Sequence, residues 1–323
     1  MHRLACRGLS LVAVATVFAV LAGSARAAPS VRVWPIRYRA WDGLVRQAYV
    51  LLPAWYGPGD DPAIPLVISP HGRGVRARDN VRFWGNLPAL GRFAVVNPEG
   101  QGRKLTLDSW GDPGEISDLA RMPSILGSAM PWLHIERGHV YAVGGSMGGQ
   151  ETLLLVSRDP RELAGAISFD ADTNLALRYR DFALVPSQRY LQQLARLEVG
   201  GTPSDNAAAY AARSPIDQAG RIAFSGVPLE IWWSTKDKVV IDQARNSEAL
   251  YRRIVALNPS APVLGVVGTW RHTAEMWYDR QLPAALALIG LLPASPSDGH
   301  PFPPLQGRVV TAPLSTFAPR FSA

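Results

Sequence analysis

The stretch Val140-Tyr141-Ala142-Val143-Gly144-Gly145-Ser146-Met147-Gly148-Gly149-Gln150 decides how the rest of the chain is read. A short apolar run meets a glycine-flanked serine, and a helical pattern follows from Gln150 to Arg158. A serine on a sharp strand-to-helix turn has a strained backbone, so the residues two before and two after it must be small. Gly144 and Gly148 fill those positions. Such a turn lifts the hydroxyl above a sheet, and the N–H groups that open the helix aim at the same spot. Ser146 is therefore the candidate nucleophile, and the Met147 amide is one half of a candidate oxyanion hole.

Working outward, short apolar runs alternate with helical patterns, the rhythm of a mostly parallel α/β sheet with helices on both faces. Strands are expected at Val31–Arg39, Val45–Leu52, Leu66–Ile68, Phe93–Val96, Val140–Val143, Ala166–Phe169, Leu229–Trp233 and Val263–Val267. Ile116–Leu133, Gln150–Arg158 and Asp242–Leu257 have apolar residues three and four apart, as helices do. Residues 171–214 break the rhythm after the sixth strand. With Leu191, Leu194 and Leu197 at helical spacing, they read as a helical insertion over one end of the sheet. From Pro293 to Ala323 the chain is rich in proline and serine and reads as an extended or disordered tail.

Ligand and catalytic groups gather at the carboxyl edge of parallel sheets. Three segments there complement Ser146. His71-Gly72-Arg73-Gly74 follows the Leu66 strand and can turn the Arg73 N–H toward the serine as the other half of the hole. His71 itself reads as a brace for that loop. Asp237 follows the Leu229 strand, and His272 follows the Val263 strand, so the chain supplies a base and an acid to orient it. Asp170, at the end of the Ala166 strand, is the alternative acid, or else a support for the loop near the serine. Trp110 and Trp270 are candidate substrate walls with core packing as the alternative. Arg73, Arg76 and Arg78 could attract an acidic substrate or form a solvated loop. Asp112, Glu115 and Asp118 suit a helix start.

These residues, in this order, resemble the α/β-hydrolase superfamily. Tyr210-Ala211-Ala212-Arg213-Ser214-Pro215-Ile216, Gly226-Val227-Pro228 and the Asp237 loop are similar more narrowly to the catalytic domain of prolyl oligopeptidase-type enzymes and their esterase relatives. The resemblance spans roughly residues 31–292. It implies an α/β-hydrolase fold and acyl transfer by Ser146, His272 and Asp237. It departs at Ser234, where the family has glycine, and in having no propeller before the catalytic segment, which moves the expectation from peptides toward esters.

Composition bounds the rest. At 47% hydrophobic and 18% charged, with mean hydropathy +0.02, the chain is neither disordered nor a bundle of membrane spans. Arg3 and Arg7, the apolar Leu9–Ala22 run and Ala25-Arg26-Ala27 read as a secretory signal cleaved after Ala27. Cleavage leaves 296 residues with a formal charge of +4 instead of +7. The only cysteine, Cys6, lies in the signal, so the mature chain has no disulfide and no thiolate metal site. No phosphate loop, metal-spaced cluster or nucleic-acid footprint is present in the sequence, and no cofactor is expected. The expected protein is an exported serine hydrolase, residues 28–292 being its catalytic domain, with no stable membrane span. Its substrate is a small ester, or alternatively a short peptide. A non-catalytic binding module of the same fold is the reading from a different class.

Overall fold

Leu51 and Leu52, Val67 and Leu66, Val143 and Ala142 fall alternately into two separate buried clusters. That period of two, with both faces apolar, is how a strand covered on both sides must read. The computed structural model of the chain describes residues 30–100, 110–293 and 301–311. The expected signal lies outside the described residues. Nine strands form one sheet: β1 (Val31–Arg39), β2 (Val45–Pro53), β3 (Ile64–Ile68), β4 (Ala94–Pro98), β5 (Ile135–Gly145), β6 (Gly165–Phe169), β7 (Leu229–Ser234), β8 (Val263–Gly268) and β9 (Arg308–Thr311). Their spatial order is β1-β2-β4-β3-β5-β6-β7-β8-β9. Strands β4, β3, β5, β6, β7 and β8 run parallel; β1, β2 and β9 pair antiparallel at the two edges.

The helices are α1 (Ala77–Asn80), α2 (Leu87–Gly91), α3 (Pro113–Ala120), α4 (Met122–Ala129), α5 (Met147–Arg158), α6 (Leu175–Leu184), α7 (Arg189–Val199), α8 (Ala207–Ala212), α9 (Ala219–Ala223), α10 (Ser247–Leu257) and α11 (Leu282–Leu288). Ile116, Met122, Leu153, Ile222 and Leu250 bring α3, α4, α5, α9 and α10 onto one face of the sheet. Leu87, Leu282 and Leu286 bring α2 and α11 onto the other. A third cluster, of Trp110, Met147, Leu175, Phe182, Ala195, Val199 and Tyr210, fastens the insertion above the carboxyl edge.

Three expectations change. The helix expected over Ile116–Leu133 is two helices meeting at Arg121, because Pro123 has no N–H for a continuous ladder and sits comfortably near a new helix start. Leu197 is exposed, so α7 buries a narrower stripe than the leucine spacing suggests. The stretch read as a tail contributes β9, which pairs with β8 from Leu264↔Thr311 to Val267↔Arg308 and extends the same sheet.

Candidate active site

Ser146 sits between β5 and α5 at φ 59°, ψ −125°. A serine adopts that backbone only when its surroundings enforce it. A methyl group on Gly144 would stand 2.4 Å from the Gly148 carbonyl oxygen, and one on Gly148 would stand 2.3 Å from that of Pro70. The turn can therefore close only with glycine at both places. The Ser146 N–H donates to the Phe169 carbonyl at 2.8 Å, which ties the turn to β6.

The loop after β3 lies against this turn. A methyl on Gly72 would lie 3.7 Å from Ser146 Cβ, and Arg73 and Met147, the residues on either side of this contact, line one cleft with Ser146. His71 is buried and acts as the brace expected of it. Its Nδ1 donates to the Gly72 carbonyl at 2.9 Å, and its Nε2 accepts the Gly100 N–H at 2.9 Å. Burial lowers its pKa, which keeps the ring in that neutral form. Arg73 is not solvated. Its Nη1 and Nη2 bind Glu198 of α7 at 2.8 and 2.9 Å, and its guanidinium lies 3.9 Å from the Trp110 ring centre. The side chain thus clamps the insertion to the loop whose backbone borders Ser146.

His272 and Asp237 meet where the sequence reading brought them. His272 Nδ1 donates to Asp237 Oδ2 at 2.7 Å. The acid is held on every side: Oδ1 accepts from the Val239 and Val240 N–H groups at 2.8 and 3.1 Å, and Oδ2 also accepts from Gln243 Nε2 at 3.1 Å. With Nδ1 occupied, the imidazole presents Nε2 as the proton acceptor. Ser146 and His272 line one cleft of about 320 Å³. No hydrogen bond joins Ser146 Oγ to His272 Nε2, a contact that in such sites commonly forms only with substrate in place.

Asp170 is adjacent but differently engaged. Its Oδ1 accepts the Ser234 N–H at 2.7 Å and its Oδ2 accepts the Thr273 N–H at 2.8 Å. It holds the strand end that leads to Asp237 and the residue after His272, which is the supporting role weighed for it. Burial raises its pKa to about 6, with the nearby Asp237 charge adding to the effect. Glu275, buried beside it, is driven well above the ordinary carboxylate range by burial and by Asp170. Donor atoms of Asp170, Asp237 and His272 lie within 4.8 Å of one another. Both carboxylates already accept backbone N–H groups and Nδ1 is bonded to Asp237, so the trio is satisfied as a hydrogen-bonded unit.

Of the two tryptophans, Trp110 lines the cleft and packs on Phe182, ring centres 5.5 Å apart. Trp270 does not line it. Its ring packs on Trp232 at 6.0 Å and against Gly268, because the chain from β8 turns it toward the sheet. Asp112 caps α3 by accepting the Gly114 N–H at 2.8 Å and pairs with buried Arg213 at 2.9 Å. Gln150 Nε2 binds the Arg213 carbonyl at 2.6 Å, so the Tyr210–Ile216 motif fastens the insertion to α5. Sequence reasoning missed Asp172, Arg178, Phe182 and Tyr190, which complete the cleft. A run of polar residues just after β6 was the only available signal for the first two.

No family model matches the chain, and no curated protein matches it. Solved structures do. Dipeptidyl peptidase 4 from Porphyromonas gingivalis is similar at 16% identity and TM-score 0.54, over 76% of this chain and 33% of that one. An acylaminoacyl peptidase from Pyrococcus horikoshii is similar at 15% identity and TM-score 0.57, over 75% and 38%. S-formylglutathione hydrolase from Staphylococcus aureus is similar at 13% identity and TM-score 0.56, over 75% and 92%. The chain thus spans about a third of the length of the two peptidases. Sheet order, the tight turn at Ser146 and these likenesses agree: the chain has the α/β-hydrolase fold.

Proposed function

We propose that the chain is a serine hydrolase that cleaves carboxylic esters through Ser146, His272 and Asp237. The observation that carries this reading is the 2.7 Å Asp237–His272 bond opening onto the cleft that Ser146 lines. Ser146 Oγ attacks the ester carbonyl as His272 Nε2 takes its proton, and the Arg73 and Met147 amides receive the oxyanion. His272 returns the proton to the departing alcohol. Water then attacks the acyl-enzyme by the same route, releasing the acid and restoring Ser146. Each oxyanion donor contributes about 3 kcal/mol to transition-state stabilisation.

Esters are favoured because the cleft is near the small end of the range for ligand pockets and is lined by Phe182, Leu191 and Leu194, which suits a compact acyl group. Cleavage of short peptides is the second reading, supported by the likeness to two peptidases. Export is part of the proposal and rests on the basic start, apolar run and Ala25-Arg26-Ala27. Among the described residues no helix is long and apolar enough to cross a membrane.

The test is alcohol release from short and long acyl esters beside amine release from chromogenic peptides, for the wild type and Ser146→Ala. Ester turnover that vanishes in Ser146→Ala, with fluorophosphonate labelling lost alongside, is the expected result. Peptides cleaved faster than esters would favour the second reading. No turnover and no labelling would leave a binding module.

A further inference from the structure

The cleft holds two arginines in opposite states. Arg73 is saturated by Glu198, whereas Arg178 of α6 is buried, at 4% exposure, and its side chain makes no hydrogen bond among the described residues. Its Nη1 is buried without a partner, its Nε stands 3.7 Å from Asp172 Oδ2, and its guanidinium lies 4.4 Å from the Phe182 ring centre. Asp172, equally buried, makes no well-formed hydrogen bond through either oxygen. Both residues line the cleft beside Ser146 and His272.

A buried guanidinium left without acceptors is costly, and elsewhere in this protein buried arginines are satisfied: Arg213 by Asp112, Arg46 by Asp42. The unfilled demand in the cleft is thus for oxygen acceptors in a plane, which a carboxylate meets with both oxygens. Asp172 does not cancel the charge fully, since burial lifts its pKa to about 7 against the opposing pull of Arg178. The same cleft is lined by Phe182, Leu191, Leu194 and Val240, apolar side chains that suit a methylene chain.

We propose that Arg178 docks a carboxylate at the far end of the acyl group, so that the substrate is a monoester of a short dicarboxylic acid. This rests on the serine hydrolase reading for turnover but not for binding. The ester carbonyl lies at Ser146 and the free carboxylate at Arg178. Arg178 is a specificity residue and takes no part in proton transfer.

The experiment compares monomethyl glutarate and monomethyl adipate with methyl valerate and methyl hexanoate, their neutral twins of equal carbon count, by acid release. The wild type is expected to favour at least one hemiester over its twin in kcat/KM by about ten- to a hundredfold. Arg178→Met is expected to collapse that ratio to one or below, and Asp172→Asn to keep or raise it. Should Arg178→Met fail to fold, Asp172→Asn/Arg178→Met, which removes both charges, replaces it. A wild-type ratio near one, or a ratio unchanged in Arg178→Met, overturns the proposal. Calorimetric titration of adipate and glutarate into Ser146→Ala separates the two readings. Binding lost on adding Arg178→Met supports the docking site even if no ester is hydrolysed. Absence of binding by either acid overturns the site even if neutral esters are.

Discussion

The loops that leave β6 and β7 each deliver a buried aspartate to the same corner of the molecule, yet the two acids act on different groups. Asp237 reaches a side chain, the His272 imidazole, and is itself held by two backbone N–H groups and Gln243. Asp170 instead accepts backbone N–H groups, of Ser234 and Thr273, and sits at φ 43°, Thr273 at φ 54°. Position at a strand end therefore admits an acid to the site, and the partner of each oxygen decides what it does there. One carboxylate holds the His272 ring at Nδ1; the other ties the end of β7 to the residue after His272.

Substitutions can break this contrast. Asp237→Asn should set an amide NH2 against both His272 Nδ1 and Gln243 Nε2, lowering kcat by about 10³- to 10⁴-fold and stability by about 1–3 kcal/mol. Steady-state kinetics on the best ester beside thermal denaturation checks this. Asp170→Asn keeps one acceptor of two, so it should cost about 1–3 kcal/mol of stability and lower kcat by no more than about tenfold. If the ranking were reversed, with Asp170→Asn abolishing turnover, the roles assigned to the two acids would be exchanged.

The smallest expected effect concerns pH. Asp172 has its folded-state pKa raised from 3.8 to about 7 by burial. A raised acid binds its proton more tightly in the folded state, so its contribution is complete below about pH 4 and is lost as pH rises through about 7. Asp170 acts in the same direction, through about 6. Melting temperature should accordingly fall by a few degrees between pH 5 and 8 at constant ionic strength. Asp172→Asn should flatten that slope, and a wild-type melting temperature that rises across the interval would contradict the burial argument.

How much of this was legible in the sequence depends on how local the cause is. The need for glycine at 144 is written in residues 144–148, because its collision is with Gly148 itself, whereas the need at 148 comes from Pro70 at the distant end of β3. Asp237 and His272 follow adjacent parallel strands, β7 and β8, so alternation alone placed their loops at one edge. Trp270 takes the packing alternative offered for it. Its loop is at that edge, but its ring turns to Trp232, and the partner strand that shapes this corner comes from residues 308–311. Asp172 and Arg178 meet locally around the start of α6, but that both face the cleft needed the insertion seated over the sheet through Trp110, Phe182 and Tyr210. The Tyr210–Ile216 motif was legible as a likeness, while its task, tying Arg213 to Asp112 and Gln150, needed the packed structure.

Strand β9 carries a consequence for solubility. Without Arg308–Thr311, β8 would present a row of unpaired N–H and C=O groups along Leu264–Val267, with Leu264 and Val266 facing the apolar side. An open edge of that kind is a template for pairing with another copy of the chain. The approach to β9 contains Pro301, Pro303 and Pro304, which have no donors to extend a ladder, and the strand itself is four residues long and begins with an exposed arginine. A border with two buried apolar residues is thereby exchanged for a mostly exposed one that opens on an arginine, so shortening the chain before Arg308 would endanger its solubility before it touched the cleft.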